Sequence, residues 1–377
     1  MFKVTVLHTS NIREWMEILS RCKLKDPCYL PQYLAIYEKL ENKESFSNFG
    51  GEGVLFVYGD SENFIIYPFF KRNISDLPFA NDSLKDMYDI ISPYGYGGPI
   101  AQLGDETIGE ELWRGFYQGF DVFCKENKVI SEFCRLHPIF ENHTFVSKFS
   151  SGIIQKIGLI IYLDLSCSQK ELLGNMEHSH RRKIRKAMNN PDLSFDIIIH
   201  NYQTEFFYNL YVENMQRVGV ENKYLFSRSF FVDAFRDLSE FISLNQIIYK
   251  RNPCAQWLVL KYGDYAYSWL SASQSEYLNL FPNNLIVYDL CLKLKAEGVT
   301  YFNLGGGRGA QEDSVFQFKK GFSKFSKDFY IYKKINFDLE YNQLVELQNS
   351  DTGNSEEFFP KYRLSMENNS HSISNPG

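Results

Sequence analysis

The chain predicts an α/β fold made of two related domains in tandem, and three observations predict it. VLFVYGD at Val54–Asp60 returns as LVLKYGD at Leu258–Asp264, and each is followed by a second apolar strand, Asn63–Phe70 and Tyr265–Ala272. Each hairpin is followed by a helical stretch that ends in a short polar junction before a strand, ENKV at Glu126–Val129 and AEGV at Ala296–Val299. The order of hairpin, helix and strand is therefore the same twice, which reads as an internal repeat. The first copy is the longer, and its extra length matches the irregular segment Lys71–Gly104, which holds SPYGYGGPI.

The elements follow from period and punctuation. Lys3–Leu7 alternates as a strand, and Glu14–Leu19 has helical spacing. Asp26 and Pro27 open a capped aromatic helix over Tyr29–Leu40, YLPQYLAIYEKL. Glu106–Lys125 is expected to be helical and Val129–Leu136 a strand. Ser168–Asn190 predicts one helix, with Ser168 and Glu171 as a capping box and Pro191 as the stop. Asn284–Glu297 repeats apolar residues at helical spacing and stops at Gly298. Thr300–Leu304 alternates as a short strand, Gly305–Gly307 turn the chain, and Asp313 or Ser314 caps a last short helix ending at Gly321. The expected division is 1–164, 165–345 and a polar tail 346–377, loose apart from FFPKYR at 358–363, which could dock.

Composition narrows the function. The 377 residues are 44% hydrophobic and 23% charged, as in soluble globular proteins. Aromatics are frequent, with 33 Phe and 25 Tyr, which suits a large core and also sugar- or base-binding surfaces. The net charge of −6 argues against a chain built as a whole to bind DNA. Seven cysteines without a CxxC pair fit free thiols in a reducing cytoplasm. Met1–Ser10 lacks a signal-peptide core, and the apolar run Ile157–Leu163 is too short for a spanning helix, leaving at most peripheral membrane contact. There is no GxxxxGK[ST], GxGxxG, HExxH or GxSxG, so nucleotide-loop, metalloprotease and serine-elbow chemistries are not expected.

Two stretches carry candidate chemistry. The glycines 305–307 free backbone N–H groups to face an anion or an acyl oxygen, although the same residues also suit a plain tight turn. The helix over 168–190 ends in Arg181, Arg182, Lys183, Arg185 and Lys186. Cations complement a helix C-terminus, and charge runs usually face solvent. On an acidic chain this cluster also suits a phosphate-rich ligand, whether a nucleotide-sugar, coenzyme A or tRNA.

SPYGYGGP, then FCRLHPIF at 133–140, then SHRRKIRKA, then LGGG with FKKGF at 318–322, in this order, resembles the Fem-type acyltransferases of the GNAT superfamily, in their single-chain group without a coiled-coil arm. The resemblance runs from about Leu24 to Phe337. It implies two GNAT-like domains, each a mixed, mainly antiparallel sheet flanked by helices, with a cleft between them. It implies acyl or aminoacyl transfer to an amine, with no metal and no tightly bound cofactor. Lys319, after Phe318, matches the lysine held to stabilise the oxyanion; the alternative is a surface lysine on a short helix. Tyr94 and Tyr96 would wall the acceptor site, with Tyr29 as a further contact; the alternative is a packed Gly–Pro loop. Arg181, Arg182 and Arg185 would hold phosphates, and Gly305, Gly306, Gly307 and Arg308 the acyl donor. The resemblance supplies no firm general base: Asp289 and Glu276 are candidates, and so is no base at all, while His180 fits a phosphate, an acid or a structural role. The chain departs from the pattern in placing Trp269 where relatives often have a histidine, and in lacking a standard GNAT pyrophosphate loop.

The leading expectation is an N-acyltransferase using acyl-CoA, such as acetyl-CoA, and a nucleotide-sugar or lipid-linked amine acceptor from a surface-polysaccharide or cell-wall pathway. The alternatives are an aminoacyl-tRNA-dependent transferase acting on a peptidoglycan precursor, and a non-catalytic glycan- or partner-binding module.

Overall fold

The computed structural model describes residues 2–40, 50–198, 204–217, 225–348 and 358–364. They form two compact units that interleave in sequence. The first comprises Met1–Arg21, Asn42–Gln155 and Tyr330–Gly377; the second comprises Cys22–Glu41 and Lys156–Phe329. This differs from the expected cut after 164. The stretch carrying Tyr29 joins the second unit, and the chain returns to the first unit at Tyr330.

In the first unit, strands Lys3–His8, Glu52–Gly59, Phe64–Asn73 and Tyr88–Ile91 pair antiparallel in that order. Tyr88–Ile91 then runs parallel to Val129–Arg135, whose other edge takes Ile331–Ile335 antiparallel. Helix Gly109–Glu126 presents Leu112, Phe116 and Phe120 to the sheet, and the Phe56 ring sits 5.1 Å from Phe120. In the second unit, Leu193–Ile198, Ile242–Tyr249, Asn252–Tyr262 and Tyr265–Ser273 pair antiparallel in order. Tyr265–Ser273 then runs parallel to Tyr301–Gly305, which pairs antiparallel with the Ile161–Asp164 end of its neighbour. The strands of each unit thus pair mainly antiparallel, with one parallel step between a strand before the helix and the strand after it. The repeat expected from the hairpins is present in the topology. The extra length of 71–104 is not all irregular. It inserts strand Tyr88–Ile91 between the hairpin and the strand after the helix, and lays Ile100–Gln102 back along Phe64–Ile66.

Two helix expectations change for local reasons. Residues 168–190 form two helices, Gln169–Gly174 and His178–Met188. The capping box of Ser168 and Glu171 is present, but the Glu177 N–H leaves the helical ladder and donates to the Gly321 carbonyl at 2.9 Å. The aromatic helix starts at Pro31 rather than Tyr29, because the residue before a proline is pushed out of the α region and Leu30 is extended. A short 3₁₀ turn, Pro27–Tyr29, precedes it, capped by Asp26.

The segment 358–364 docks on the first unit. Asp89, fully buried, accepts from Arg72 Nε at 2.7 Å and from Arg363 Nε at 2.6 Å. The Tyr362 hydroxyl donates to Asp89 at 3.0 Å and lies 2.7 Å from Ser131 Oγ. Burial alone would raise the Asp89 carboxyl, but the two guanidiniums together hold it below its ordinary value. The expectations for the tail over 349–357 and 365–377 fall outside the described residues.

Candidate functional site

The site is built in the second unit from the end of strand Tyr301–Gly305. Gly305 takes φ +77°, a left-handed conformation that suits glycine, and its N–H donates to Asn303 Oδ1 at 2.8 Å. Two residues on, a Cβ on Gly307 would stand 2.0 Å from the Gln311 carbonyl oxygen and 2.5 Å from Asp313 Oδ1. The backbone passes so close to the next segment that no side chain fits. Asp313 then caps helix Ser314–Lys320, accepting from the Phe316 N–H at 3.0 Å, and holds Arg308 in an ion pair at 2.7 Å.

That helix turns Lys319 back onto the glycines. Lys319 Nζ donates to the Gly306 carbonyl at 2.7 Å. The side chain is half-buried, but its ammonium end is enclosed by protein, and loss of hydration lowers its pKa from 10.5 to about 8. The Asp313 charge works the other way and does not offset the burial. The result is a cation with few competing contacts at a turn whose backbone is free of side chains.

A cavity of about 240 Å³ lies beside this helix, bounded by Phe318 and Val315, by Ser271–Ser273, and by Trp257 and Asn283. It sits where the sheet separates. The parallel pairing of Tyr265–Ser273 with Tyr301–Gly305 covers only Tyr265–Tyr267 against Tyr301–Asn303, so that edge of the strand from Ser268 onward has no ladder partner among the described residues. Asn283, at the start of helix Pro282–Ala296, donates to Ser273 Oγ at 3.0 Å and accepts from Trp257 Nε1 at 3.3 Å. Arg217 stands at the rim, bonded to Asn214 and Ser275.

The structure gathers some of the expected site residues and scatters others. Lys319, Gly305, Gly306, Gly307 and Arg308 come together, with Arg308 already paired to Asp313. Asp289 is half-buried on helix Pro282–Ala296 with no hydrogen-bond partner among the described residues, and burial raises its pKa from 3.8 to about 6. It does not line the cavity. Arg182 and Arg185 are exposed and Arg181 is half-buried on helix His178–Met188. Among the described residues, none of them, nor Lys183 or Lys186, has a carboxylate partner, and none lines the cavity. Tyr29 is fully buried, and Glu276 is exposed on a short turn. Tyr94 and Tyr96 belong to the first unit, where Tyr96 is buried with its ring 5.5 Å from His137 and Tyr94 is half-buried. Among the described residues no group of three or more His, Cys, Asp or Glu could hold a metal, and no helix is long and apolar enough to cross a membrane.

Three residues at the site were not singled out from the sequence. Asn283, Trp257 and Asn303 are hydrophilic or amphipathic side chains within apolar runs. An asparagine in the buried strand YFNLG, directly before a glycine turn, is the one signal that pointed there.

Comparison with known proteins bears on the fold. Residues 174–320 match the family model described as an acetyltransferase (GNAT) domain. No curated protein sequence matches the chain. Among solved structures, FemX superposes with a TM-score of 0.61 at 12% identity, covering 85% of this chain and 98% of that one. A conserved protein of unknown function from Bacteroides thetaiotaomicron gives 0.54 at 9% identity, covering 88% and 99%. The C-terminal domain of a putative lysylphosphatidylglycerol synthetase from Agrobacterium fabrum gives 0.52 at 11%, covering 86% and 92%. At these identities the likeness is one of fold. The expected Fem-type, GNAT-like resemblance is borne out at the level of fold: residues 174–320 match a GNAT domain, and the chain shares the fold of FemX.

Proposed function

We propose that this chain is an N-acyltransferase that moves an acyl group from a coenzyme A thioester to an amine, on an amino-sugar or related precursor of a surface polysaccharide or cell wall. The observation that carries this reading is the enclosed ammonium of Lys319, held against the Gly306 carbonyl of the glycine turn, on a helix whose Ser314, Val315 and Phe318 line a cavity that Lys319 itself does not line. When the amine attacks the thioester carbonyl, a C–N bond forms and the carbonyl oxygen takes up negative charge. Collapse of that intermediate breaks the C–S bond, and the nitrogen gives up a proton as the thiolate leaves. A fixed cation in a poorly hydrated site stabilises the charged intermediate more than the neutral thioester, and that difference is what accelerates the step.

In this reading Lys319 supplies the cation, the turn at Gly305–Gly307 with Arg308 holds the donor, and the cavity beside Phe318 takes the acyl group. Asp289, with its raised pKa, is the candidate acceptor of the amine proton. The first unit's Tyr94 and Tyr96 are assigned to the acceptor on the strength of the sequence resemblance.

A second reading, an aminoacyl-tRNA-dependent transferase, is favoured by one observation. The five cations on helix His178–Met188 lack carboxylate partners among the described residues, and a polyanionic donor would use them. Thermal unfolding with acetyl-CoA, longer acyl-CoAs, nucleotide-sugars and mixed tRNA separates the two, since a ligand at 100 times its Kd adds about 2.7 kcal/mol. A rise with a CoA thioester supports the first reading. A rise with tRNA alone, lost when Arg181 and Arg182 are replaced, supports the second. No rise with any donor leaves a binding module.

A further inference from the structure

The histidine of the basic helix has a position that neither reading uses. His180 is 5% exposed, and its Nδ1 lies 3.0 Å from Asn284 Nδ2 on the neighbouring helix Pro282–Ala296. An amide nitrogen donates, so Nδ1 accepts and the neutral ring carries its proton on Nε2. Nε2 faces Gly321. A Cβ built on Gly321 would stand 2.2 Å from Nε2 and 2.4 Å from Cδ2. The Gly321 backbone is ordinary right-handed helix, φ −62° and ψ −14°, so the imidazole is the reason the position takes glycine. The rings of Phe322 and Phe318 lie 4.5 and 5.6 Å from His180, and the Glu177 N–H holds the Gly321 carbonyl.

These contacts all converge on the end of the short helix that carries Lys319, two residues before Gly321. We propose that His180 is a positioning residue: wedged between Asn284 and Gly321, it sets the end of helix Ser314–Lys320 and so holds the Lys319 ammonium against the Gly306 carbonyl. Two sequence blocks separated by most of the second unit, SHRRK and FKKGF, thereby act as one device. Its consequence for turnover rests on the role proposed for Lys319, but the wedge itself does not.

The readout is the titration of Lys319 in the whole protein. Charged groups near it are few. Asp313 is the one acting on Lys319, while Glu177 and Lys183 act on His180, whose own pKa is lowered chiefly by burial. Competitive labelling with acetic anhydride across pH 6–11, read by peptide mass spectrometry, gives the Lys319 midpoint without knowledge of any substrate. Wild type is expected near 8. Removing the ring in His180→Ala opens a space for water or for movement of the helix end. The midpoint then rises, with labelling at neutral pH falling about tenfold for each unit. His180→Gln, which keeps an acceptor for Asn284, is expected in between. Gly321→Ala forces its methyl onto the ring and also raises the midpoint. The double variant His180→Ala/Gly321→Ala places that methyl in the vacated space and returns towards wild type, a non-additive coupling that a general loss of packing would not produce.

Equal midpoints across the set, or additive effects of the two substitutions, overturn the proposal. If His180→Ala does not fold, rescue of Gly321→Ala by His180→Gln or by the double variant decides it. A wild-type midpoint near 10.5 would remove the enclosed cation from the proposed function, while the coupling of positions 180 and 321, read by thermal unfolding, would still test the wedge.

Discussion

Lys319 Nζ and the carbonyl oxygen of Gly306 are joined by a 2.7 Å hydrogen bond, and this contact defines the candidate site. It uses one of three donors on the ammonium and leaves the others for a second oxygen. Replacing Lys319 by Ala is expected to lower kcat/KM on the order of 100- to 1,000-fold, as for loss of an oxyanion donor. Unfolding by urea should change little. Turnover within a few-fold of wild type, with donor binding intact, would assign the fold to binding rather than catalysis.

The pH profile separates the two candidate groups. In the proposed mechanism Lys319 works as a cation, so activity is expected to fall as pH rises through about 8. If Asp289 takes the amine proton as proposed, it must be a carboxylate, and activity is expected to fall as pH drops through about 6. The profile is a bell between those limits. Asp289→Asn should abolish the acid limb and leave the alkaline one. An acid limb that survives Asp289→Asn shows that another group takes the amine proton.

The sequence carried the repeat and the glycine–lysine block because both are local. Hairpin alternation, the AEGV and ENKV junctions, and the Asp313 cap each lie within a few residues. It did not carry the break at Glu177, because the partner of that N–H is Gly321, far along the chain. Nor did it carry the strand Tyr88–Ile91, a short run whose pairing depends on Phe64–Asn73 and Val129–Arg135 on either side. The cluster Arg181, Arg182 and Arg185 suits a phosphate or a solvent-facing helix end equally; periodicity alone does not say that these cations stay out of the cavity lining while His180 is buried.

The first unit holds a buried acid in its core. Glu132 is 3% exposed and accepts from the Tyr67 hydroxyl at 2.8 Å, and burial raises its pKa from 4.5 to about 7. A raised folded-state pKa stabilises fully below 4.5, and that contribution is lost as pH rises through about 7. Glu132→Gln keeps the acceptor without the charge. It is expected to match wild type near pH 4.5 and to exceed its stability at pH 8 by about 3 kcal/mol. Equal urea midpoints at pH 8 would show that water or a cation already solvates the carboxylate.

Asp89 faces two guanidiniums, so the substitutions around it are not equivalent. Asp89→Asn leaves Arg72 and Arg363 buried with no anion between them and is expected to destabilise the first unit by about 3–5 kcal/mol. Arg363→Ala leaves one matched pair and removes the charged hydrogen bond to Asp89 along with a longer one to the Asn73 carbonyl, for a loss of about 1.5–3 kcal/mol. Urea unfolding of the two variants checks the order. A larger loss for Arg363→Ala would mean that docking of the 358–364 segment, not charge balance, dominates.

That docking has a consequence for synthesis. Domains generally fold as units while the chain emerges from the ribosome, the earlier one first. Here the unit that begins the chain needs Ile331–Ile335 for its last strand and Tyr362 and Arg363 to close around Asp89. All of the unit formed by 22–41 and 156–329 has been translated before those residues exist. The nascent protein therefore completes its second unit first, and a truncated chain is left with an open first unit rather than a missing last one.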